Sequence, residues 1–178
     1  MTIWKRTAGV AAVGALAVFG PAPAPAAAAP APVAAAPISY EADACTSSGN
    51  RYCFSLHYNS RGGQTWYSDS PCFVSNKDIP NHSGYSPNGV AQVVYVFTAG
   101  QMNWSAAVCV LSNGGDGQPV KNNAASAANG ECSVSYRVYY NSGYSGPNQT
   151  FGPTCGDYWP AVDLNSSVKN NNASSARL

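Results

Sequence analysis

Charged side chains are scarce in this sequence of 178 residues. Lys and Arg together number nine, Asp and Glu number eight, and charged residues make up 10% of the chain. Setting aside Lys5 and Arg6 at the start leaves seven basic side chains against eight acidic ones, a net charge of −1. A surface this close to neutral offers no electrostatic footprint for nucleic acid or anionic lipid. We therefore expect neither nucleic acid nor a membrane among the partners.

Groups suited to catalysis are also scarce. His57 and His82 are the only histidines, and nucleophilic catalysis needs a base within hydrogen-bond reach of Ser or Cys. We expect His57 to lie on the surface of a strand and His82 in a turn-rich loop. The sequence has no Gly-x-Ser-x-Gly elbow, no phosphate loop and no marked carboxylate pair for glycoside hydrolysis. The prediction is that the protein is not an enzyme and has no catalytic residues.

Zinc-type spacings are absent as well. The chain contains six cysteines, none of them spaced as Cys-x-x-Cys, which disfavours zinc. An even number of cysteines in an exported chain predicts three disulfides, and six cysteines allow fifteen connectivities. The cysteines are Cys45, Cys53, Cys72, Cys109, Cys132 and Cys155.

The first residues predict export. Lys5 and Arg6 precede an apolar run and then a region of small residues, which is the layout of a secretory signal peptide. The apolar run is too short to anchor a membrane. We assign residues 1–29 to the signal peptide, with Ala36 as a second candidate cleavage position, and residues 30–44 to a flexible Ala/Pro-rich leader. The expected location is extracellular.

Helical periodicity is scarce in the remainder of the chain. Segments rich in β-branched and aromatic residues occur instead, bounded by Gly, Asn and Pro, at residues 52–60, 92–97, 106–111 and 133–142. Short strands with frequent turn signals predict an all-β sandwich. In the last segment, alternation places four side chains on one face, namely Val134, Tyr136, Val138 and Tyr140.

Two stretches of the sequence resemble each other. Residues 56–72 and 138–155 share a Tyr-Asn-Ser strand end, a glycine turn, a Gln-Thr-aromatic strand and a cysteine after a proline. Each stretch is followed by Val-Lys-Asn-Asn, at 120–123 and at 168–171. Such self-similarity indicates one supersecondary unit used twice. We predict one domain, residues 45–178, made of motif one (45–130, with an insertion that includes 84–104) and motif two (131–178).

A Tyr-rich strand, Tyr-Asn-Ser, a glycine turn, an aromatic strand and an Asn-Asn-x-Ala-Ser-Ser segment together resemble the βγ-crystallin motif. Residues 170–175 fit the last segment fully, whereas in residues 122–127 Ala127 replaces the final serine. The likeness is to the secreted crystallin-like proteins of the Streptomyces metalloproteinase inhibitor family, and it covers roughly residues 45–177. It implies a βγ-crystallin-like β-sandwich of two Greek-key motifs, stabilised by disulfides. Cys45 and Cys53 match the cysteine pair that opens the family domain, which implies a disulfide there. For the other cysteines we choose Cys72–Cys109 and Cys132–Cys155 as the prediction.

The resemblance also implies a weak calcium site, although no cofactor is required, because the corresponding loop supplies oxygens to calcium in many relatives. The residues concerned are Asn122, Asn123, Ser126, Asn170, Asn171, Ser174 and Ser175. Neither loop contains a carboxylate, which calcium favours, so Asp116, Asp157 or Asp163 would have to complete a site. The alternative is structural: the asparagines adopt left-handed turns and cap backbone groups, and the serines close the turns by local hydrogen bonds.

For function, the resemblance implies inhibition of an extracellular metalloprotease by a rigid loop that enters the protease cleft as a pseudo-substrate. Two loops are longer than a hairpin needs, residues 76–89 and 98–104. In the second loop, Met102 and Trp104 are candidate partner-binding residues. The alternative is that Trp104 plugs the edge of the sandwich. The family's reactive loop is closed by two cysteines a few residues apart, and here such a short pair occurs only at Cys45 and Cys53.

A different class of function is non-catalytic binding of a glycan or cell wall, or an antimicrobial role, since crystallin-like secreted toxins and chitin binders share this fold. A purely structural extracellular protein is the third hypothesis. Aromatic rings stack on sugars, with packing in the core as the alternative role. The candidates are Tyr67, Tyr85, Tyr139, Tyr144, Tyr158 and Trp159.

Overall fold

The computed structural model describes residues 35–46, 53–61, 70–101, 108–109, 114–155 and 161–178. Within these ranges the regular secondary structure consists of strands, and no helix occurs. The strands are β1 (Ile38–Glu41), β2 (Asp43–Ala44), β3 (Phe54–His57), β4 (Cys72–Ser75), β5 (Gln92–Tyr95), β6 (Gly100–Gln101), β7 (Val108–Cys109), β8 (Ser126–Asn129), β9 (Tyr136–Asn141), β10 (Ser145–Phe151), β11 (Val162–Asp163) and β12 (Ser174–Arg177).

The larger sheet has five strands in the order β11-β8-β3-β4-β2. β3 lies in its centre, antiparallel to both β4 and β8, and β2 joins β4 in parallel. Side chains alternate along β3, so Phe54 and Leu56 face the main core whereas Ser55 and His57 point to the opposite face. All four residues are buried, which means that this part of the sheet is covered on both faces.

The smaller sheet has three antiparallel strands in the order β10-β9-β12. Tyr136 and Val138 of β9 are fully buried in the main core, and Val134 packs against it, as the alternation predicts. Tyr140, predicted on the same face, is 44% exposed. It lies near the end of β9, where the strand runs past the core.

The two sheets pack face to face on an aromatic core. The ring of Phe54 in β3 stacks on the ring of Tyr136 in β9 with their centroids 4.6 Å apart, and it lies 5.6 Å from the ring of Phe151 in β10. Full burial of such a side chain contributes about 1.5–3 kcal/mol. This arrangement confirms the all-β class and fits a β-sandwich.

The sheets do not divide at the boundary between motif one and motif two. β11 belongs to motif two but pairs with β8 of motif one. Ile79 belongs to motif one but forms an antiparallel bridge with Ser175 in β12 of motif two. Each motif therefore contributes one segment, β11 or Ile79, to the sheet that the other motif mainly forms.

Four cysteines lie in a second buried cluster, on the outer face of the larger sheet, whereas Cys132 and Cys155 are exposed. The three disulfides are Cys45–Cys53, Cys72–Cys109 and Cys132–Cys155, the same pairs that the sequence analysis predicts. His57 lies on this face and is 2% exposed, so the expectation of a surface histidine is wrong. The reason is that Cys72, directly opposite His57 on β4, is bonded to Cys109 from the long segment between Ile79 and Val120.

Residues 38–44, which composition assigns to the flexible leader, are paired in the structure. β1 runs parallel to β5, from Ile38 opposite Gln92 to Glu41 opposite Tyr95, and β2 runs parallel to β4. Ile38 and Tyr40 remain 57% and 70% exposed. Backbone hydrogen bonds rather than side-chain burial therefore hold β1, and side-chain composition does not report them.

The insertion of motif one adds further backbone pairing around β5. Tyr85 and Val93 exchange backbone hydrogen bonds of 2.9 and 2.8 Å. Gly84, with a φ of 119°, lies so close to Val93 that a side chain would collide with the Val93 carbonyl oxygen. β6 and β7 form a short antiparallel pair, and residues 102–107 between them lie outside the described residues. Of the strand predicted at 106–111, only residues 108–109 are described.

Candidate functional site

The two Val-Lys-Asn-Asn segments lie side by side. The backbone N–H of Asn122 donates to the carbonyl of Asn172 at 2.9 Å, and the N–H of Asn170 donates to the carbonyl of Ala124 at 2.8 Å. The two bonds are equivalent, since position 124 in motif one corresponds to position 172 in motif two. Asn122 and Asn170 both have a left-handed backbone, with φ of 63° and 54°, which asparagine tolerates. We call residues 120–125 and 168–173 the asparagine loops.

A buried serine closes each asparagine loop. Ser126 Oγ donates to the carbonyl of Asn59 at 2.7 Å, and Ser174 Oγ donates to the carbonyl of Asn141 at 2.6 Å. Asn59 and Asn141 are the central residues of the two Tyr-Asn-Ser strand ends, so each loop is tied to the strand end of its own motif. The sequence predicts a structural role for these serines as the alternative to calcium binding, but through local hydrogen bonds, whereas these bonds join residues 67 and 33 positions apart.

The lysine side chain of each asparagine loop crosses to the other motif and donates a hydrogen bond there. Lys121 of motif one donates through Nζ to Ser142 Oγ of motif two at 3.1 Å, and also to Asn81 Oδ1 at 3.3 Å. Lys169 of motif two donates to Ser60 Oγ of motif one at 2.6 Å. Ser60 and Ser142 end the two Tyr-Asn-Ser sequences, so the crossings are equivalent. The one ion pair found among the described residues is Arg177–Glu131, and none of their carboxylates lies within 4.0 Å of either ammonium group.

A polar pocket lies at each crossing. The Lys121 pocket has a volume of about 230 Å³, and the Lys169 pocket has a volume of about 380 Å³. Their lining residues correspond one to one, with the motifs exchanged. The Lys121 pocket is lined mainly by Lys121, Asn122, Tyr140, Asn141, Ser142 and Asn171. The Lys169 pocket is lined mainly by Lys169, Asn170, Tyr58, Asn59, Ser60 and Asn123.

The side chains that line these pockets do not provide the ligands that calcium needs. Calcium takes about six to eight oxygen ligands and favours carboxylates, whereas an ammonium group already contacts the serine hydroxyl of each pocket. Asn123 Nδ2 donates to the carbonyl of Pro119 at 2.9 Å, and Asn171 Nδ2 donates to the carbonyl of Lys169 at 3.2 Å. These asparagines therefore cap backbone groups. No cluster of three or more His, Cys, Asp or Glu residues that could hold a metal occurs in the described ranges.

The acidic residues considered for a metal site are engaged elsewhere. Asp116 accepts a hydrogen bond of 3.0 Å from the backbone N–H of Ala99, and Asp163 accepts one of 2.7 Å from that of Arg61. Asp157 lies outside the described residues. Four of the seven residues predicted for calcium lie in the two asparagine loops, and Ser126 and Ser174 directly follow them. Ser175 belongs to a separate network around His82.

His82 is fully buried beside the second asparagine loop. Its Nδ1 lies 3.0 Å from Asn172 Nδ2, and its Nε2 lies 3.1 Å from Ser175 Oγ. An amide nitrogen only donates, so Nδ1 accepts and the ring proton is on Nε2. Burial is the main cause that lowers the pKa of His82 to about 3, and the positive charge of Lys121 acts in the same direction. The only sequence signal for this network is Asn172, where motif one has Ala124.

His57 pairs with Ser55 on the outer face of the larger sheet. Its Nε2 lies 3.0 Å from Ser55 Oγ, which in turn donates to the carbonyl of Ala128 at 3.3 Å. His57 Nδ1 is buried without a hydrogen-bond partner, and burial lowers the pKa of His57 to about 4. A serine nucleophile must give its proton to the base and must be accessible. Ser55 is 0% exposed and gives its proton to a carbonyl, so this pair is not arranged as a nucleophile and its base.

One buried carboxylate joins the start of motif two to its end. Glu131 accepts hydrogen bonds of 2.7 Å from the Tyr136 hydroxyl and of 2.7 Å from Arg177 Nη2. The bond to Glu131 is the main cause that raises the pKa of Arg177, and burial raises the pKa of Tyr136. The contacts of Glu131 therefore serve to hold the two ends of motif two together.

The two candidate partner-binding loops differ in the structure. Residues 76–89 are described throughout, and the loop is engaged internally, because Ile79 bridges to β12 and His82 is buried. Met102 and Trp104 of the second loop lie outside the described residues. The strands that flank them, β6 and β7, are placed by their own pairing and by the Cys72–Cys109 disulfide.

The tyrosines considered for glycan stacking are mostly not free surfaces. Tyr139 is buried and Tyr144 packs edge-on against it at 6.1 Å, while Tyr85 is 45% exposed and donates to Glu41. Two exposed tyrosines that the sequence analysis does not propose for glycan stacking are Tyr40 and Tyr140, 70% and 44% exposed. The remaining candidates lie outside the described residues: Tyr67, Tyr158 and Trp159.

In comparisons with known proteins, no family model, no curated protein and no solved structure matches this chain. Among the described residues there is no helix of the length and apolar character needed to cross a bilayer. Fold and site together define a disulfide-bonded all-β protein with two related polar pockets. Its three disulfides are compatible with an extracellular location.

Proposed function

We propose that this chain is a secreted, βγ-crystallin-like protein of two Greek-key motifs that inhibits an extracellular protease through the loop between β6 and β7. The exchange of β11 and Ile79 between the sheets supports the fold, because it interlocks two related motifs. The equivalence of the two asparagine loops supports it as well. The disulfides and the signal-peptide layout of residues 1–29 support secretion.

The observation that carries the inhibitory function is the anchoring of this loop at its base. Gly100 pairs with Cys109 and Gln101 pairs with Val108, which brings the two ends of the loop together. Cys109 is disulfide-bonded to Cys72, and Cys72 exchanges backbone hydrogen bonds of 2.9 and 3.0 Å with Thr98. Both ends of the connecting segment, residues 102–107, are thus fixed to the larger sheet.

An anchored base suits an inhibitor because the ends of the loop are ordered before binding. Ordering side chains at an interface costs about 0.5–1.5 kcal/mol for each immobilised side chain, so affinity rises when the scaffold has already restricted them. Met102 and Trp104 occur in the connecting segment, and Trp is enriched among the residues that dominate interface energies. These two residues are our candidates for contact with the protease.

The test is an inhibition assay of the disulfide-intact protein, without residues 1–29, against a panel of extracellular metalloproteases and serine proteases that includes thermolysin. We expect stoichiometric inhibition of at least one metalloprotease, and a loss of about tenfold or more in Met102→Ala/Trp104→Ala. The control is Tyr40→Ala, which removes an exposed aromatic ring far along the chain from this loop. The proposal fails if no protease is inhibited, or if the control weakens inhibition as much as the loop variant does.

A further inference from the structure

The Lys121 and Lys169 pockets correspond in sequence but differ in what they leave exposed. In the Lys169 pocket, Tyr58 is half-buried, its ring packs edge-on against Phe97 at 5.7 Å, and Gly115 is in close contact with it. In the Lys121 pocket, the corresponding Tyr140 is 44% exposed and has no ring partner among the described residues. Motif one therefore uses its tyrosine for packing, whereas motif two leaves its tyrosine open to solvent.

Polar groups of the Lys121 pocket are also available for a ligand. The Tyr140 hydroxyl and the side-chain amides of Asn122 and Asn141 make no hydrogen bond to any residue that the structure describes. An ammonium group has three donors, and Lys121 uses two of them, on Ser142 and Asn81. A bound molecule would thus meet several unpaired donors and acceptors beside one aromatic ring.

This combination is suited to a sugar. The C–H face of a pyranose ring packs on an aromatic ring, and its hydroxyl groups exchange hydrogen bonds with amide and hydroxyl groups. Pockets for drug-sized ligands are about 300–1,000 Å³. The Lys121 pocket, at about 230 Å³ and open to solvent, is smaller and suits one unit of a longer polysaccharide.

Lys121 adds a preference for negative charge. Its ammonium group has no carboxylate of the described residues within 4.0 Å, and the other main lining residues are uncharged. A ligand carboxylate that accepts from the third N–H of the Lys121 ammonium group would form a charge-assisted hydrogen bond, which is stronger than a bond between neutral groups. We propose that the Lys121 pocket binds one carboxylate-bearing sugar unit of an extracellular polysaccharide. This site is separate from the loop between β6 and β7 and does not depend on protease inhibition.

The test is a titration of the protein with uronate oligosaccharides at low ionic strength, followed by NMR chemical shifts and calorimetry. Oligogalacturonate and alginate oligomers supply the same chemistry from two sources, and methyl-esterified oligogalacturonate has the same backbone with its carboxylates blocked. We expect at least one uronate to bind in the millimolar range or tighter, and the methyl ester to bind about tenfold more weakly. Added salt should reduce this difference.

Matched variants locate the site. We expect Tyr140→Ala to weaken binding about tenfold and Tyr40→Ala, at another exposed tyrosine, to leave it unchanged. Lys121→Met should abolish the preference for the acid over the ester, whereas Lys169→Met, which removes the equivalent crossing contact, should keep it. All four variants should leave protease inhibition unchanged, which separates this proposal from the inhibitory function.

Three outcomes would overturn the proposal. The first is the absence of binding by either uronate at millimolar concentrations. The second is equal binding of the acid and its methyl ester by the unmodified protein, which removes the role of Lys121 charge. The third is an equal effect within either matched pair of variants, which shows that the sugar binds outside the Lys121 pocket.

Discussion

His57 and His82 are buried at positions that disfavour a positive charge on the ring. Their exposed fractions are 2% and 0%, and burial lowers the pKa of His57 to about 4 and that of His82 to about 3. Lys121 adds positive charge near His82, and the nitrogen Nδ1 of His57 has no hydrogen-bond partner. Both rings therefore stay neutral in the folded protein at pH values where an exposed histidine is protonated.

We predict that the free energy of unfolding falls as the pH decreases from about 6.5 towards 4. The unfolded chain binds a proton at each histidine near pH 6.5, whereas the folded chain does so only near pH 4 and pH 3, so stability rises with pH through this window. This stability is fully present above about pH 7, and each histidine contributes a slope of up to about 1.4 kcal/mol per pH unit. Urea unfolding of the disulfide-intact protein at pH 7, 6 and 5 measures the slope.

The control for this pH dependence is His57→Gln/His82→Gln. The double variant should be less stable at pH 7 but should lose less stability between pH 7 and pH 5, since neither glutamine titrates. An unchanged slope in the variant would show that other groups cause the pH dependence.

The role of His82 illustrates what single positions in a sequence do not reveal. Its two partners, Asn172 and Ser175, are 90 and 93 residues away along the chain. The local sequence around His82 is rich in turn-forming residues, and that pattern correctly indicates a loop. It carries no information about which distant segment covers the loop, so the burial of His82 depends on packing alone.

The asparagine loops show how a repeated element acquires a different role in each copy. Asn172 accepts a hydrogen bond of 2.9 Å from the N–H of Ala124 and donates one of 2.8 Å to the carbonyl of Val120. It also donates to His82. Since Ala124 occupies the corresponding position in motif one, the loop backbone accepts alanine there without strain. Asn172 therefore serves as a bridge between the loops rather than as a turn former.

We predict that Asn172→Ala lowers the free energy of unfolding by about 2–3 kcal/mol, because it leaves several buried groups without partners. The matched control is Asn171→Ala. Asn171 is half-buried, and among the described residues its side chain donates to the carbonyl of Lys169 alone, so the expected cost is about 0.5–1 kcal/mol. Chemical denaturation at pH 7 compares the two, and an equal cost would contradict the bridging role.

Alternating side chains predict two of the core strands, whereas a strand held by backbone pairing alone has no such pattern. The segment at 52–60 contains β3 and the segment at 133–142 contains β9, because Phe54, Leu56, Tyr136 and Val138 alternate into the core. Composition assigns β1 to the leader, and in the structure Ile38 and Tyr40 bury little surface. Its pairing with β5 uses backbone groups, which every sequence has, so pattern alone does not reveal it.

The interlocking of the two motifs determines how the domain as a whole behaves. β11 and Ile79 each complete the sheet of the other motif, Phe54 stacks on Tyr136 across the sheets, and the two lysines cross in opposite directions. Neither motif keeps a complete sheet or a covered core without the other. We therefore expect residues 38–178, which include β1 and β2, to unfold as one cooperative unit.

We predict that residues 35–130, which keep β1 and β2, and residues 131–178, produced separately, do not fold. Each fragment keeps its own disulfides, since Cys45–Cys53 and Cys72–Cys109 lie in the first and Cys132–Cys155 lies in the second. Circular dichroism and NMR dispersion of the oxidised fragments, alone and mixed, provide the measurement. We expect disorder for each alone, and a well-dispersed NMR spectrum from either isolated fragment would refute the interlocking.

The sequence alone determined the all-β class, the presence of three disulfides and the existence of two related motifs. These features depend on short-range alternation of side chains, on cysteine number and on local repeats, all of which are visible along the chain. Three features required the folded arrangement: the lysines cross between the motifs, Tyr140 is exposed while Tyr58 is packed against Phe97, and both histidines are buried. Those outcomes depend on which distant segments pack together, because covering a side chain or completing its hydrogen bonds requires groups that local sequence does not contain.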